Sequence, residues 1–169
     1  IEEIVFSNTI EEVGKLPFLG CGKLCKIDTT NNSKYDFDNM ILYQTATIDG
    51  VSGLEIVQCL PSRGKGGDFG SNKIDGLTNP KLENVISILE NAFQDCDSIR
   101  IVDLRKTKAT QVPIGCFYQC DNLADVELPK TVEKINKNAF CGLDSDLTDA
   151  GTVCIHIPNP MTDIEEAAF

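Results

Sequence analysis

The chain has 169 residues, 41% of them apolar, which is enough to bury a continuous core and excludes a disordered polymer. Its formal net charge of -11 excludes nucleic acid and anionic membrane surfaces as natural partners, because both would be repelled. No apolar run approaches the roughly 20 residues that cross a bilayer, and with aromatics at 7% and no Trp, platforms for stacking sugars or bases are scarce.

In chain order, Ile1-Glu2-Glu3 lacks a basic region followed by an apolar segment, so the expectation is that any targeting peptide has been removed. An internal pattern then begins. Phe18, Cys21, Leu24 and Ile27 stand three residues apart, and the spacing returns as Phe93, Cys96, Ile99, Val102 and as Phe117, Cys120, Leu123, Val126. Leu104 and Leu128 lie two residues beyond the last aliphatic, which predicts a short strand with one buried face. A degenerate copy starts at Phe140 and Leu143, its strand displaced to 153–157 by a polar stretch that reads as an inserted rim loop. The other half of the unit recurs as Leu128-Pro129, Val132, Ile135, Ala139-Phe140 and as Ile157-Pro158, Met161, Ile164, Ala168-Phe169. Phe6, Ile10, Val13 and Phe18 repeat its spacing.

Phe93, Phe117 and Phe140 are 24 and 23 residues apart, the period of a leucine-rich repeat. A unit this short cannot bury its own apolar side. Stacking coils solves this: strands join in a parallel sheet about 4.8 Å apart, and recurring Phe, Ile and Leu become internal ladders. On this basis Phe18, Phe93, Phe117 and Phe140 are expected to be ladder positions, and the Asn-Ala-Phe segments at 91–93 and 138–140 to form helical turns.

Ala-Phe, then Cys, then Leu, then a strand closing in Leu-Pro, resembles the BspA-like, or Treponema-type, leucine-rich repeat of bacterial and protozoan surface proteins. Between the repeats, Tyr35, Asp38-Asn39 and Ile41-Leu42-Tyr43 resemble the hairpin that interrupts these proteins, with Asn39-Met40 in place of Asp-Gly. A second strand follows the turn dipeptides Asp49-Gly50 and Ser52-Gly53, while Pro61 to Pro80 is rich in Gly, Ser and Asn and reads as irregular. The resemblance implies a leucine-rich-repeat solenoid, a β-rich right-handed superhelix with a parallel concave sheet and short helical turns, interrupted by a β-hairpin insertion. The whole chain, 1–169, is then one domain, with an N-terminal repeat at 1–27, an irregular hairpin and loop insertion at 28–84, and C-terminal repeats at 85–169. The chain starts and stops inside repeat units, so it is expected to be an excerpt of a longer array or a domain with unusual caps.

Chemistry-bearing residues are few. Cys21, Cys96 and Cys120 share one repeat position, and Cys116 stands where Ala92 and Ala139 stand, so these read as small core-filling side chains and mostly free thiols. The pairs Cys21/Cys25 and Cys116/Cys120 resemble zinc ligands superficially, but their members fall on different faces and the chain has one His, so no metal is expected. Residues 64–70 suggest a phosphate loop, yet no Ser or Thr follows Lys65 and no strand and helix flank it. Cys154 and His156 share a strand face without any supporting signature for a thiol mechanism, so no catalytic site and no cofactor are expected.

Aligning the repeats puts Val5, Asp28, Asp103, Glu127 and His156 in one outward column of the concave sheet, beside Glu3, Lys26, Ile101, Asp125 and Cys154. Asp103, Asp125 and Glu127 then crowd on adjacent strands, which is either a solvated acidic face or a recognition patch for a basic protein surface. His156 would stand at its margin as a pH-sensitive contact. The family resemblance implies a non-catalytic, extracellular or cell-surface binding module of adhesin type, taking a protein partner such as an extracellular-matrix or other cell-surface protein. The alternative is a spacer array with no ligand of its own.

Overall fold

The computed structural model describes residues 1–60, 73–74, 79–97, 99–143, 152–158 and 161–169. The glycine-rich segment 64–70 lies outside them, as does most of the rim loop after Leu143. Short strands dominate: β1 (Glu3–Val5), β2 (Lys26–Asp28), β3 (Tyr35–Asp38), β4 (Ile41–Ile48), β5 (Val51–Cys59), β6 (Lys73–Ile74), β7 (Val85–Ile88), β8 (Ile101–Asp103), β9 (Gln111–Val112), β10 (Asp125–Glu127), β11 (Lys134–Ile135), β12 (Cys154–His156) and β13 (Asp163–Ile164). A 3-10 segment, Pro80–Asn84, precedes β7 and is capped by the Asn79 side chain, which accepts from the Lys81 amide.

The coils stack as parallel strands. One sheet runs β12-β10-β8-β6 and a second β13-β11-β9. Val102, Val126 and Ile155 are in register in the first, Val112, Ile135 and Ile164 in the second. Between the two sheets lies a column of rings. The ring centroids of Phe93 and Phe117 are 4.9 Å apart, those of Phe117 and Phe140 5.1 Å, and those of Phe140 and Phe169 5.5 Å, each pair stacked with nearly parallel planes. Each coil covers the apolar side of its neighbour, so coils too small to hold a core build one together.

The bends around these rings are not helical. The residue two before each Phe has a positive φ (Leu16, Asn91, Gly115, Asn138, Ala167), and so does the residue two after it (Gly20, Asp95, Gln119, Gly142). An α-turn cannot contain left-handed residues, so Asn-Ala-Phe forms a hydrogen-bonded turn instead. Its amides then point to the next coil: Asn91, Phe93 and Asp95 donate to the carbonyls of Ile114, Cys116 and Tyr118, and Gly115, Phe117 and Gln119 to those of Lys137, Ala139 and Cys141. The turns are thus a ladder as regular as the sheets, which leaves their backbone polar groups paired.

Phe18 departs from its expected place. It packs against Phe6 (6.5 Å between centroids) in a separate cluster with Leu24, Ile27, Tyr35, Leu42, Val57 and Leu60, and Met40 touches both this cluster and the main core. The interposed element is the antiparallel meander β3-β4-β5, whose turns Asn39-Met40 and Asp49-Gly50 place both central residues at positive φ. Its last strand does more than interrupt. β5 pairs in parallel with β7, Ile56 against Ile88, and the Cys59 amide donates to the Ala92 carbonyl, so β5 serves as the wall of the preceding coil.

Buried polar side chains tie the first coil down. The Asn32 amide donates to the Ser7 and Ile10 carbonyls, and its oxygen accepts from the Lys34 and Tyr35 amides. Tyr35 Oη accepts from the Val13 amide, and Gln58 Oε1 from the Phe18 amide. The recurring cysteines act in the same way within the main core. Cys96 Sγ donates to the Cys59 carbonyl at 3.3 Å and Cys120 Sγ to that of Phe93 at 2.9 Å. Burial pushes the thiols of Cys96, Cys116 and Cys120 well above their ordinary pKa.

Candidate functional site

The concave strands carry the sequence-predicted residues. β10 is flanked by β8 and β12, with Glu127 opposite Asp103 on one side and His156 on the other, and Asp125 opposite Ile101 and Cys154. Residues two apart on a strand share a face, so Asp125, Glu127, Cys154 and His156 look out together. The columns do not extend to the N-terminal coil. β1 and β2 form their own two-stranded sheet, in which Lys26 Nζ meets Glu3 Oε1 at 2.5 Å and Val5 faces Asp28.

Asp103 is not part of the exposed surface. Its side chain is 3% accessible, and Arg105 grips it from the same chain end: Nε to Oδ1 at 3.0 Å, a second guanidinium nitrogen to Oδ2 at 2.8 Å, and the Arg105 amide to Oδ1 at 3.0 Å. This bidentate clamp neutralises the carboxylate that would otherwise oppose Glu127 across the strands. On the other side, His156 Nε2 reaches diagonally to Asp125 Oδ1 at 3.2 Å, an approach in contact range without the alignment of a hydrogen bond. Arg105 therefore neutralises one of the three carboxylates, and His156 lies against a second. Glu127, between them, has no cation within ion-pair distance among the described residues.

Elsewhere, a groove of about 740 Å³ opens between β2, the 29–34 loop and the meander, and one of about 500 Å³ between residues 13–16 and the β5-β7 wall. Neither is lined by Asp125, Glu127, Cys154 or His156. Cys154 and His156 thus sit on an open strand rather than in an enclosure that would position a thiol and its base.

A family model described as the BspA type leucine rich repeat region matches residues 1–53 and 69–169, in six copies. The chain belongs to the BspA-type leucine-rich-repeat family. No curated protein matches it in sequence. Among solved structures, a leucine rich cell surface protein from Faecalibacterium prausnitzii A2-165 is similar, with a TM-score of 0.55 and 18% identity over 98% of this chain. The match takes in 48% of that structure, so this BspA-type chain spans about half its length. At this identity the likeness shows the shared solenoid fold. The leucine-rich repeat is a scaffold of stacked coils, on which function resides in particular surface residues.

Proposed function

We propose that this chain is a non-catalytic, cell-surface or secreted protein-binding module of adhesin type, whose concave face at Asp125, Glu127 and His156 contacts a basic surface on a protein partner. The family membership and the cell-surface neighbour support the location. The observation that carries the site is the outward face of β10, where in-register strands hold Asp125 and Glu127 side by side with Glu127 lacking a counter-ion among the described residues. Asp103, buried and clamped by Arg105, leaves the contact to its neighbours. A charged patch held on paired strands costs a partner little reorganisation, and its charge speeds encounter with a cationic surface.

The test is surface plasmon resonance against immobilised extracellular-matrix proteins and cationic proteins. The double substitution Asp125→Lys with Glu127→Lys should weaken binding at least tenfold, and wild-type binding should fall as salt rises. Unchanged affinity in the double variant would move the site to the meander or the convex side. Binding to no protein tested would favour a spacer.

A further inference from the structure

The ring column has a member that is not a ring. Phe93, Phe117 and Phe140 each donate their amide to the residue just before the next ring, at the carbonyls of Cys116, Ala139 and Ala168. The Cys59 amide donates in the same way to the Ala92 carbonyl, at 2.6 Å, so Cys59 holds the ring position of the coil before Phe93. β5 reaches that position by a shorter path. Ile56 stands level with Ile88, and Cys59 follows it by three residues where Phe93 follows Ile88 by five.

The cysteine of the next coil completes the pattern. Cys120 Sγ donates to the carbonyl of Phe93, the ring residue of the coil before it, at 2.9 Å, and Cys96 Sγ donates to that of Cys59 at 3.3 Å. In the first case the residue that the cysteine reaches carries a phenyl ring. In the second it carries a thiol: Cys59 and Cys96 interact side chain to side chain, and both are 0% exposed. Pairing of Cys96 with Cys120 has no such geometry. These two hold one repeat position in successive coils, so their side chains run parallel, each towards the coil before it, rather than towards each other.

We propose that Cys59 and Cys96 are a disulfide-forming pair, which a low-molecular-weight disulfide of the oxidised-glutathione class closes to fasten the meander wall β5 to the first coil of the main stack. The Cys59 thiolate attacks one sulfur of that oxidant, whose S–S bond breaks as one small thiol leaves. The Cys96 thiolate then attacks the Cys59 sulfur of the mixed disulfide, forming the Cys59–Cys96 bond and expelling the second small thiol. Two electrons pass to the oxidant, and the two protein thiol protons end on the two released thiols. Burial holds the Cys96 thiol well above its ordinary pKa, so the exchange belongs to the folding chain, and the closed bond is then shielded from reductant. The bond closes the loop from 59 to 96 and so constrains the unfolded chain. It follows from the coil packing and does not rest on the concave site.

The test compares the full chain refolded in a buffer of oxidised and reduced glutathione with the same chain refolded in dithiothreitol. Free thiols are blocked with iodoacetamide, and mass spectrometry of the unreduced tryptic digest of the oxidised chain should join the Cys59 peptide to the Cys96 peptide. The urea midpoint should rise by about 1 M or more on oxidation. That rise should vanish in Cys59→Ala and in Cys96→Ala and persist in Cys120→Ala. Each variant is compared with itself, so packing lost by the substitution cancels, and the wild-type peptide map decides the matter if a variant fails to fold. Cys59 and Cys96 both alkylated after oxidative refolding, a map joining Cys96 to Cys116 or Cys120, or equal wild-type midpoints in the two buffers overturns the proposal.

Discussion

Phe117→Ala tests the stacked-coil account at its centre. The ring is fully buried and lies between Phe93 and Phe140 at 4.9 and 5.1 Å, so its removal leaves a void that two neighbouring coils share. Emptying a buried aromatic site costs about 3–5 kcal/mol, and each lost ring pair is worth roughly 0.5–1.5 kcal/mol within such a loss. With two pairs lost and a rigid ladder of backbone hydrogen bonds on each side, the upper part of the range, about 4–5 kcal/mol, is expected. In urea, at an m-value of about 2 kcal/mol/M, that lowers the midpoint by roughly 2 M. Phe169→Ala is the internal control, since that ring has one partner and is half exposed, and should cost only about 1 kcal/mol. Because coils couple only to neighbours, the Phe117 variant should also separate the unfolding of the two sides into distinguishable phases. A loss below about 1 kcal/mol, or one no larger than for Phe169, would refute the ladder.

Other expectations follow from particular contacts. Gln119, exposed and left-handed where the next coil has Gly142, should gain about 0.5–1 kcal/mol on change to Gly, read as a higher thermal midpoint. Gly115→Ala should lower that midpoint, because a Cβ there lies 2.1 Å from Asn91 Oδ1 in a left-handed turn. Asn32→Ala removes the side-chain partner of the Lys34 and Tyr35 amides and of the Ile10 carbonyl, while the Ser7 carbonyl keeps the Ile10 amide, and should cost about 2–3 kcal/mol in chemical denaturation. The buried thiols of Cys96, Cys116 and Cys120 have pKa values raised by folding, so their stabilisation is complete below the ordinary thiol range, about 8.5, and is lost progressively as pH rises above it. A stability-pH profile should fall on the alkaline side, and thiol labelling of the reduced chain at neutral pH should be fast at exposed Cys25 and Cys154 and await unfolding at the four buried sites, Cys59, Cys96, Cys116 and Cys120.

Much of this fold is written in spacing. The period of Phe93, Phe117 and Phe140, with aliphatics at fixed offsets, is a direct consequence of each coil needing its neighbour, so strands, register and the ring column can all be read from it. The turns were harder, since Asn-Ala-Phe has the composition of a helical turn. The signal lay in a column of Asn91, Gly115 and Asn138 two residues before each ring and Asp95, Gln119 and Gly142 two after, residue types that tolerate positive φ in five of six places. Phe18 has the right spacing yet the wrong neighbours, because spacing does not reveal that the meander and Met40 come between it and the main column. In the candidate site, alignment put Glu127 between Asp103 and His156 as the structure has them. Burial of Asp103 depends on Arg105 folding back two residues, and the diagonal reach of His156 to Asp125 depends on a rotamer; neither is a matter of register.

The central functional claim, that the outward face of β10 is where a protein partner is held, is tested most directly by carboxyl footprinting of the chain free and bound to a matrix protein it captures. Asp125 and Glu127 should lose reactivity towards carbodiimide on binding, while Glu133 and Glu166, on other parts of the surface, keep theirs. Protection that falls instead on Asp28 and Asp36 beside the meander groove, with Asp125 and Glu127 as reactive as in the free chain, would contradict the claim.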